Sequence, residues 1–406
     1  MRFSESFVKT LRVAPKEETA RGAGYLSRAG YVHKELAGVY DYLPLGLRVL
    51  ENIKTIIREE LNAIGGQEVL MSTLQNPTLW EKTDRWDIKK MDIWFRTELA
   101  AGGELGLAPT HEEPFTEMMK TYVNSYKDLP VYAYQIQTKF RNELRAKSGI
   151  LRGREFIMND MYSFSRSLEE HEKFYHQAEL AYNRIYERLG IGDCTHEAFA
   201  SGGVFAQYSH EFQTFLEVGE DDVYYSTDKN IYLNKEVLQD DVLERLGVTR
   251  DELQVARAAE VGNIFTLKDK YSRPLDLVYT DKNGQRQTVI MGCYGIGVSR
   301  VMGVIAEKFA DDRGLIWPES VAPYKYYLIA IGDQAHTKAE ELYQGRAAEI
   351  LYDDRDLRPG EKFADAELLG IPYRIVISDK TLAENAAEIT TRATGESQLV
   401  PLNQLF

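Results

Sequence analysis

The chain has 406 residues, a formal net charge of -14 and 44% hydrophobic residues, enough for two or three domains with separate cores. Its two cysteines, Cys194 and Cys293, form no CxxC pair, and its seven histidines show neither HxxxH nor HExxH spacing. A disulfide framework and a cysteine- or histidine-based metal site are therefore not expected. Because no run of about 18 apolar residues and no apolar signal core is present, we expect a cytoplasmic protein without a membrane partner.

The first predicted helix covers residues 47–64, where leucines and isoleucines recur at helical spacing before Gly65 and Gly66. A short strand is expected at 68–74. A second helix is predicted at 110–126, with Thr110 as a plausible cap and acidic residues in its first turn, where the helix dipole favours them.

A basic loop between two predicted strands is the most informative segment. Residues 131–140 and 156–164 both alternate in hydrophobicity with the period of a strand. Six basic residues lie at or near the loop, against the single acid Glu143: Lys139, Arg141, Arg145, Lys147, Arg152 and Arg154. A cationic loop in an acidic protein predicts an anion site, and the planar guanidinium binds phosphate oxygens in pairs. The overall acidity argues against nonspecific binding of nucleic acid, but not against a polynucleotide that contacts local basic patches.

The remaining elements predict an antiparallel core followed by a small α/β unit. A long helix is expected at 168–189, a small helical piece at 237–256, strands at 261–268 and 275–291, and a glycine-rich helix start at 292–305. Pro318 and Pro323 indicate a linker. In the tail we expect strands at 326–331, 372–378 and 386–402 and helices at 336–351 and 362–369. Neither GxGxxG after a strand nor GxxxxGK[ST] is present, which argues against the common nucleotide-binding folds.

Three segments resemble the motifs of class II aminoacyl-tRNA synthetases. Arg141 with its strands resembles the second motif, residues 292–300 resemble the third, and the helix at 47–64 with the strand after it resembles the first, the dimer motif. Ser72 departs from the proline usual there. A closer resemblance, to bacterial-type prolyl-tRNA synthetases, is carried by residues 109–113, 134–141, 152–156, 209–212, 219–221, 353–356 and 358–360.

This resemblance implies an α+β fold: a class II antiparallel β-sheet flanked by helices, plus a C-terminal α/β anticodon-binding domain. The catalytic domain is expected at 1–236 and 260–320, and the anticodon-binding domain at 324–406. Residues 237–259 would be a short helical remnant where many bacterial members insert a large editing domain. The implied activity is ATP-dependent attachment of proline to tRNA(Pro) by a homodimer, with a separate deacylase that removes mischarged alanine.

The resemblance also assigns roles to residues. The catalytic arginines, which contact the phosphates, would be Arg141, Arg152 and Arg300. The other ATP-binding residues would be Glu143, Phe156 and Gln213, with Mg²⁺ bound through Glu143 and Glu220. Proline would contact Thr110, Glu112, Arg141 and His210. The tRNA would contact Arg145, Lys147, Arg355, Arg358 and Lys362.

Each assignment has a structural alternative. Arg141 could pair with Glu143 or Glu155, Phe156 could belong to the core, and Thr110 could only cap a helix. At the level of function, the alternatives are a non-catalytic synthetase-like tRNA-binding or regulatory paralogue, a class II enzyme for threonine or serine, and a ligase for a non-tRNA acceptor. The presence of Arg141 and Arg300 argues against the first.

Overall fold

A computed structural model describes residues 1–13, 20–203 and 208–406 of the chain. It divides into two compact units. One unit comprises Met1–Glu35, Tyr40–Ile53 and Ile305–Phe406, and the other comprises Leu36–Val39 and Lys54–Val304. We call them the tail unit and the sheet unit.

The described secondary structure up to the long helix alternates short strands with helices. The helices are α1 Arg21–Arg28, α2 Pro44–Ala63, α3 Pro77–Glu81, α4 Glu112–Tyr122 and α5 Leu168–Arg188. The strands are β1 Val32–Leu36, β2 Val39–Tyr42, β3 Gln67–Glu68, β4 Leu74–Gln75, β5 Phe95–Glu98, β6 Glu104–Leu107, β7 Val131–Phe140 and β8 Glu155–Ser165.

The elements after α5 complete the sheet unit and build the tail unit. The strands are β9 Thr195–Ser201, β10 Tyr208–Phe215, β11 Asp221–Ser226, β12 Ile231–Asn234, β13 Gln254–Lys268, β14 Val278–Thr280, β15 Arg286–Thr288, β16 Ile290–Ile296, β17 Tyr326–Ile331, β18 Ile350–Asp353, β19 Tyr373–Ser378, β20 Ala386–Thr391 and β21 Ser397–Pro401. The helices are α6 Asp240–Leu246, α7 Val298–Phe309, α8 Asp333–Gly345, α9 Pro359–Leu369 and α10 Asp379–Ala383.

A nine-stranded sheet in the order β10-β9-β12-β11-β13-β16-β8-β7-β3 organises the sheet unit. Its centre is antiparallel: β8 pairs with β7 and β16, and β13 pairs with β16, β11 and β10. Helix α5 packs on one face and buries, among others, Phe174, Tyr182 and Tyr186. Because side chains alternate between faces, the opposite face presents every second residue of β8 and β13.

The two strands predicted around the basic loop are confirmed. β7 and β8 pair without a register shift from Val131 opposite Phe164 to Phe140 opposite Glu155. The loop therefore begins at Arg141, whose backbone N–H donates to the Arg154 carbonyl at 2.8 Å. At its tip Ser148 and Gly149 both adopt positive φ angles, 57° and 65°, which allow the tight reversal.

Four element predictions were wrong in their bounds. In the tail, the helix expected at 336–351 ends at Gly345, and strand β18 at Ile350–Asp353 was not predicted. The glycine-rich run 292–296 lies in strand β16, and the helix starts only at Val298. The small helical piece is the seven-residue α6 with short 3₁₀ turns, and β13 begins at Gln254. Between 68 and 74 the backbone forms only the ends of β3 and β4. Short apolar runs do not distinguish a buried strand from a helix by periodicity alone.

The segment between β12 and β13 carries a small apolar core of its own. Val237, Leu238, Leu243 and Val248 are buried together with Leu233 of β12. Helix α6 ends at Gly247, whose φ of 64° gives the left-handed cap that glycine accepts without steric cost. The segment is therefore folded, although it is short.

The tail unit contains a five-stranded sheet in the order β18-β17-β19-β20-β21, with β17 parallel to both neighbours. Its core is built from Leu328, Ile350, Ile375 and Ile377 with the small residues Ala335 and Ala339 of α8. This agrees with the predicted α/β tail. Among the described residues, no helix of either unit is long and apolar enough to cross a bilayer.

A pair of carboxyl groups, Glu179 on α5 and Glu197 on β9, connects this helix to the sheet. Burial and the hydrogen-bonded neighbour Glu179 raise the pKa of Glu197 on β9 to about 8. His210 Nδ1 lies 3.6 Å from Glu197 and 2.7 Å from the Tyr175 hydroxyl. Because the folded pKa lies above the ordinary value of 4.5, the stability that protonated Glu197 contributes is complete at low pH and is lost as pH rises through about 8.

We therefore expect Glu197→Gln to flatten the loss of stability between about pH 5 and 8.5. Urea unfolding at several pH values would measure this, with Glu172→Gln, an exposed position on α5, as the control. If both variants followed the wild-type profile, the raised pKa of Glu197 would be refuted.

Candidate active site

A cavity of about 360 Å³ opens on the face of the sheet opposite α5. Its floor is formed by alternate residues of β8, β13 and β16, and its rim by the basic loop and the start of α7. The lining residues include Thr110, Glu112, Arg141, Glu143, Arg152, Phe156, Met158, Asp160, Glu260, Asn263, Cys293 and Arg300. The structure thus brings most of the sequence-predicted ATP and proline residues together.

Arg141 points into this cavity without an acidic partner among the described residues. Its Nε donates to the Pro109 carbonyl at 3.3 Å, and its guanidinium lies 5.2 Å from the centroid of the Phe156 ring. Burial and the nearby Arg300 lower the pKa of Arg141. The alternative of an ion pair with Glu143 or Glu155 is not observed. A part-buried guanidinium beside a second one, both facing a cavity, favours an anionic ligand.

Arg152 has two acidic partners. Its Nε and Nη2 donate to Glu143 at 3.1 and 2.7 Å, and its Nη1 donates to Glu220 at 2.6 Å. Partial burial works against ionisation, but the two carboxylates raise the pKa of Arg152 overall. Glu143 and Glu220 therefore occupy the guanidinium edges that phosphate oxygens would use, in a partly exposed position where ion pairs exchange readily.

Arg300 is held by main-chain carbonyls. Its Nε donates to the Leu151 carbonyl at 2.8 Å and its Nη1 to the Glu260 carbonyl at 2.7 Å. The Glu260 carboxylate lies 3.4 Å away. Gly297 allows this approach, because a side chain there would come within 3.2 Å of Arg300 Cβ. Arg300 is thus fixed in direction before any ligand binds.

One end of the cavity is lined by a buried carboxylate. Glu112 has no exposed surface and accepts hydrogen bonds from Thr110 Oγ1 at 2.8 Å and from the Tyr162 hydroxyl at 3.3 Å. Arg85 Nη1 donates to it at 3.0 Å. Thr110 precedes α4 but donates to Glu112 and makes no cap hydrogen bond to the helix backbone. The sequence did not single out Arg85, since an arginine far along the chain carries no pairing signal.

A second buried network supports this end from below. Lys139 Nζ forms an ion pair with Asp160 Oδ1 at 2.8 Å and donates to His111 Nδ1 at 2.7 Å, and His111 Nε2 lies 3.0 Å from the Ser72 carbonyl. Burial lowers the pKa of His111 to about 4, so the ring is neutral and donates through Nε2. These contacts hold His111, which lies between Thr110 and Glu112 in the sequence, in place.

Three carboxylates, Glu211, Asp221 and Glu260, lie close together on β10, β11 and β13 and were missed in the sequence; of the three, Glu260 lines the cavity. Glu211 and Glu260 are connected by the Asn263 amide, whose Nδ2 lies 3.4 and 3.0 Å from them. Burial and Glu260 raise the pKa of Glu211 to about 8, and burial raises that of Asp221. The sequence-predicted Gln213 is fully buried and donates to Glu211 and Asp221 at 2.9 and 2.8 Å. It is not among the residues that line the cavity.

His210 is not brought to this site. It neighbours Glu211 on β10 and therefore faces the other side of the sheet. There it lines a separate cavity with Glu179 and Glu197. The expectation that it contacts the amino acid is not supported by this position. A motif alone does not determine which face of the sheet a strand residue occupies.

The tip of the basic loop is exposed. Leu144 is 90% exposed, Arg145 is exposed, and Lys147 lies 3.4 Å from Glu220. The base of the loop is held by Arg154, whose Nε and Nη1 donate to the carbonyls of Glu143 and Ala37 at 2.9 and 2.6 Å. The loop thus has a fixed base and a solvent-facing tip.

In the tail unit, two of the three sequence-predicted tRNA residues have internal partners. Arg355 contacts Asp353 and Asp365 at 2.7 and 2.8 Å. Lys362 is buried and donates to the Asp353 carbonyl at 3.0 Å. Only Arg358 of these three is exposed. Arg355 and Lys362 therefore hold the start of α9 in place.

Metal-capable side chains form one close group among the described residues. His33, Glu35 and Asp41 have ligand atoms within 4.8 Å of one another, and all three are exposed. Glu143 and Glu220, the sequence-predicted magnesium contacts, belong to no such group and both contact Arg152.

Comparisons with known proteins agree with this geometry. Residues 95–309 match the model of the "tRNA synthetase class II core domain (G, H, P, S and T)", and residues 325–406 match the "Anticodon binding domain". The proline–tRNA ligase of Anaplasma marginale is 37% identical over 100% of this chain and 99% of the relative, and that of Phenylobacterium zucineum is 37% identical over 99% and 98%.

Two solved structures share the fold. Prolyl-tRNA synthetase from Cryptosporidium parvum, complexed with halofuginone and AMPPNP, has a TM-score of 0.77 at 15% identity and covers 94% of this chain and 74% of its own. The Giardia lamblia enzyme, in complex with prolyl-adenylate, has a TM-score of 0.75 at 20% identity, with 93% and 74% covered. The chain belongs to the proline–tRNA ligases, a family of class II aminoacyl-tRNA synthetases.

Proposed function

We propose that the cavity joins proline to ATP as prolyl-adenylate and that the activated proline is then transferred to the 3′ end of tRNA(Pro). The observation that carries this is Arg141, a part-buried guanidinium that faces the cavity without an acidic partner among the described residues. No general base is needed for the first step, because the proline carboxylate is already ionised at neutral pH. Catalysis is therefore positioning together with neutralisation of charge.

The nucleotide fits the cavity with its adenine at Phe156 and its phosphates toward the arginines. Arg141 would neutralise the α-phosphate where the carboxylate attacks, and Arg152 and Arg300 would bind the outer phosphates. Because Arg152 is paired with Glu143 and Glu220, its phosphate contact requires that these ion pairs rearrange. AMPPNP and prolyl-adenylate in the two related structures support ATP as the nucleotide.

Proline would bind at the opposite end, with its ammonium group on Glu112 and Thr110 and its carboxylate toward Arg141. The distance from Thr110 Oγ1 to Glu112 is already that of a good hydrogen bond, 2.8 Å. A fully buried carboxylate without exposed surface is costly unless a cation completes its contacts. We infer that the substrate ammonium is this cation.

Magnesium would accompany the nucleotide and help to neutralise its phosphates. Mg²⁺ is bound in such sites by one or two carboxylates together with substrate phosphates. Glu211 and Glu260 fit this role better than Glu143 and Glu220. Burial and the neighbouring Glu260 raise the pKa of Glu211 to about 8, and a divalent cation would relieve the repulsion between the two carboxylates.

The tRNA would contact two regions. Its acceptor end would contact the loop tip with Arg145 and Lys147, and its anticodon would contact the tail unit near Arg358. The enzyme would act as a homodimer, for which exposed Leu70 and Leu74 after α2 offer apolar contact area. The domain boundaries expected from the sequence stay a prediction, with 237–259 in place of an editing domain.

We expect Arg141→Ala to reduce proline-dependent pyrophosphate exchange by about a hundredfold or more, because the α-phosphate loses its main source of charge neutralisation. Thermal unfolding should change little. The control is Arg286→Ala, an exposed arginine paired with Asp276 at 3.3 Å on the β14–β15 hairpin. Near-normal exchange by the Arg141 variant would overturn the assignment.

A second expectation concerns the loop tip. Arg145→Ala with Lys147→Ala should raise the KM for tRNA(Pro) and weaken its dependence on salt, since two phosphate contacts are removed. Proline-dependent pyrophosphate exchange, which needs no tRNA, should remain within about twofold of wild type. Equal loss in both assays would contradict a role at the tRNA step.

A third expectation follows from the absence of a large insertion. Alanine is smaller than proline, and a pocket discriminates by only about 1–3 kcal/mol per methylene. Purified enzyme should therefore form alanyl-tRNA(Pro) and hydrolyse it no faster than buffer does, so that a separate deacylase is needed. Rapid deacylation by the purified enzyme alone would refute this.

A further inference from the structure

Arg85 lies beneath the amino-acid end of the cavity, in contact with two adjacent buried carboxylates. Its side chain is 7% exposed, while those of Glu112 and Glu113 have no exposed surface. Its Nη1 is 3.0 Å from Glu112 Oε2 and 3.0 Å from both oxygens of Glu113. Thr83 Oγ1 donates to Glu113 at 2.7 Å. One guanidinium therefore serves two acids.

The surroundings hold Arg85 rigidly. Its guanidinium lies 5.2 Å from the ring centroids of both Trp80 and Tyr271, where cation–π attraction adds to the ion pairs. The Trp94 indole donates to the Arg85 carbonyl at 2.8 Å. Burial opposes ionisation, but Glu113 and its neighbours raise the pKa of Arg85 overall. Burial raises the pKa of Glu113, so its ionisation depends on Arg85.

The net charge of Arg85, Glu112 and Glu113 determines the charge of the ligand that can bind at this end of the cavity. With both acids ionised, Arg85, Glu112 and Glu113 carry one net negative charge. Glu113 uses its two oxygens on Arg85 and Thr83, whereas Glu112 lines the cavity. The other ionisable groups here do not alter the count: Tyr162, Tyr271 and Cys293 have raised pKa values and are neutral, and Lys139 pairs with Asp160. Lys270 is exposed, so that solvent screens its interaction with Glu112, Glu113 and Arg85. Arg141 donates to the Pro109 carbonyl.

We propose that Arg85 is a positioning residue for amino-acid selection: it holds Glu112 in place and neutralises Glu113, so that the cavity presents one buried negative charge, matched to one substrate ammonium group. This rests on the proposed contact between Glu112 and the ammonium of proline. Arg85 touches neither substrate nor nucleotide and acts through the two glutamates.

The test uses proline-dependent pyrophosphate exchange with the full chain. Arg85→Met leaves Glu113 without its cation, and the KM for proline should rise by about tenfold or more, while the KM for ATP stays near wild type. Because burial raises the pKa of Glu113 and the variant lacks the cation that opposes this, Glu113 should take up a proton as pH falls. The KM for proline in this variant should then decrease as pH is lowered, whereas that of wild type should change less. Arg96→Met is the matched control, since Arg96 also packs on a tryptophan, Trp86, but contacts neither glutamate.

A charge-compensated pair of variants separates this role from a general loss of packing. Glu113→Gln alone removes the net negative charge and should also raise the KM for proline. Arg85→Met combined with Glu113→Gln restores one negative charge at Glu112, and its KM for proline should be lower than that of either single variant. A double variant no better than the singles, or an Arg85→Met enzyme with a normal KM for proline, would overturn the proposal.

Two outcomes distinguish this inference from the proposed function. If wild type shows no proline-dependent exchange, the assigned reaction is wrong. If wild type is active and the KM for proline is unaffected in Glu113→Gln, only the role of Arg85 and Glu113 is wrong. If Arg85→Met does not fold, the KM for proline of Glu113→Gln and of Arg85→Lys tests the same proposal. Arg85→Lys keeps the positive charge, and its KM for proline should remain close to that of wild type.

Discussion

The register of β7 against β8 is the constraint on which the rest of the site depends. Their unbroken antiparallel pairing ends with Phe140 opposite Glu155, which places Arg141 at the edge of the cavity. Phe156, Met158 and Asp160 then face the same side of the sheet and line the cavity. A slip of one residue would turn all three toward α5. The geometry of the nucleotide site is thus set by main-chain hydrogen bonds before any ligand is present.

Charge is distributed along the cavity in three zones. Arg141 and Arg300 lie in the middle, Glu112 with its neighbours Glu113 and Arg85 lies at one end, and Glu260, which Asn263 links to Glu211, lies at the other. Each zone has its own support: main-chain carbonyls for Arg300, Arg85 for the glutamates, and the amides of Gln213 and Asn263 for Glu211. Glu260 belongs to two of these supports, because Arg300 donates to its carbonyl and Asn263 donates to its carboxylate.

The sequence predicted the parts of this arrangement that depend on local pattern. The strands around the basic loop follow from alternation, and Arg141, Arg152 and Arg300 follow from motifs. Arg85 and the acids near Glu211 were missed, because their roles arise from contacts across the sheet unit. Arg85 and Glu113 are 28 residues apart in the sequence, and Asn263 and Glu211 are 52 residues apart. His210, Arg355 and Lys362 were assigned from motif membership, which does not say which face of a strand a side chain takes or whether an acid nearby already binds it.

The short segment between β12 and β13 has a consequence for engineering. It closes on its own apolar core, and at Gly247 a side-chain atom would meet nothing within 4 Å. An exposed turn of this kind is where inserted domains are best tolerated. A fluorescent reporter or an affinity module grafted at Gly247 would therefore extend from the enzyme without disturbing the strands that carry the arginines.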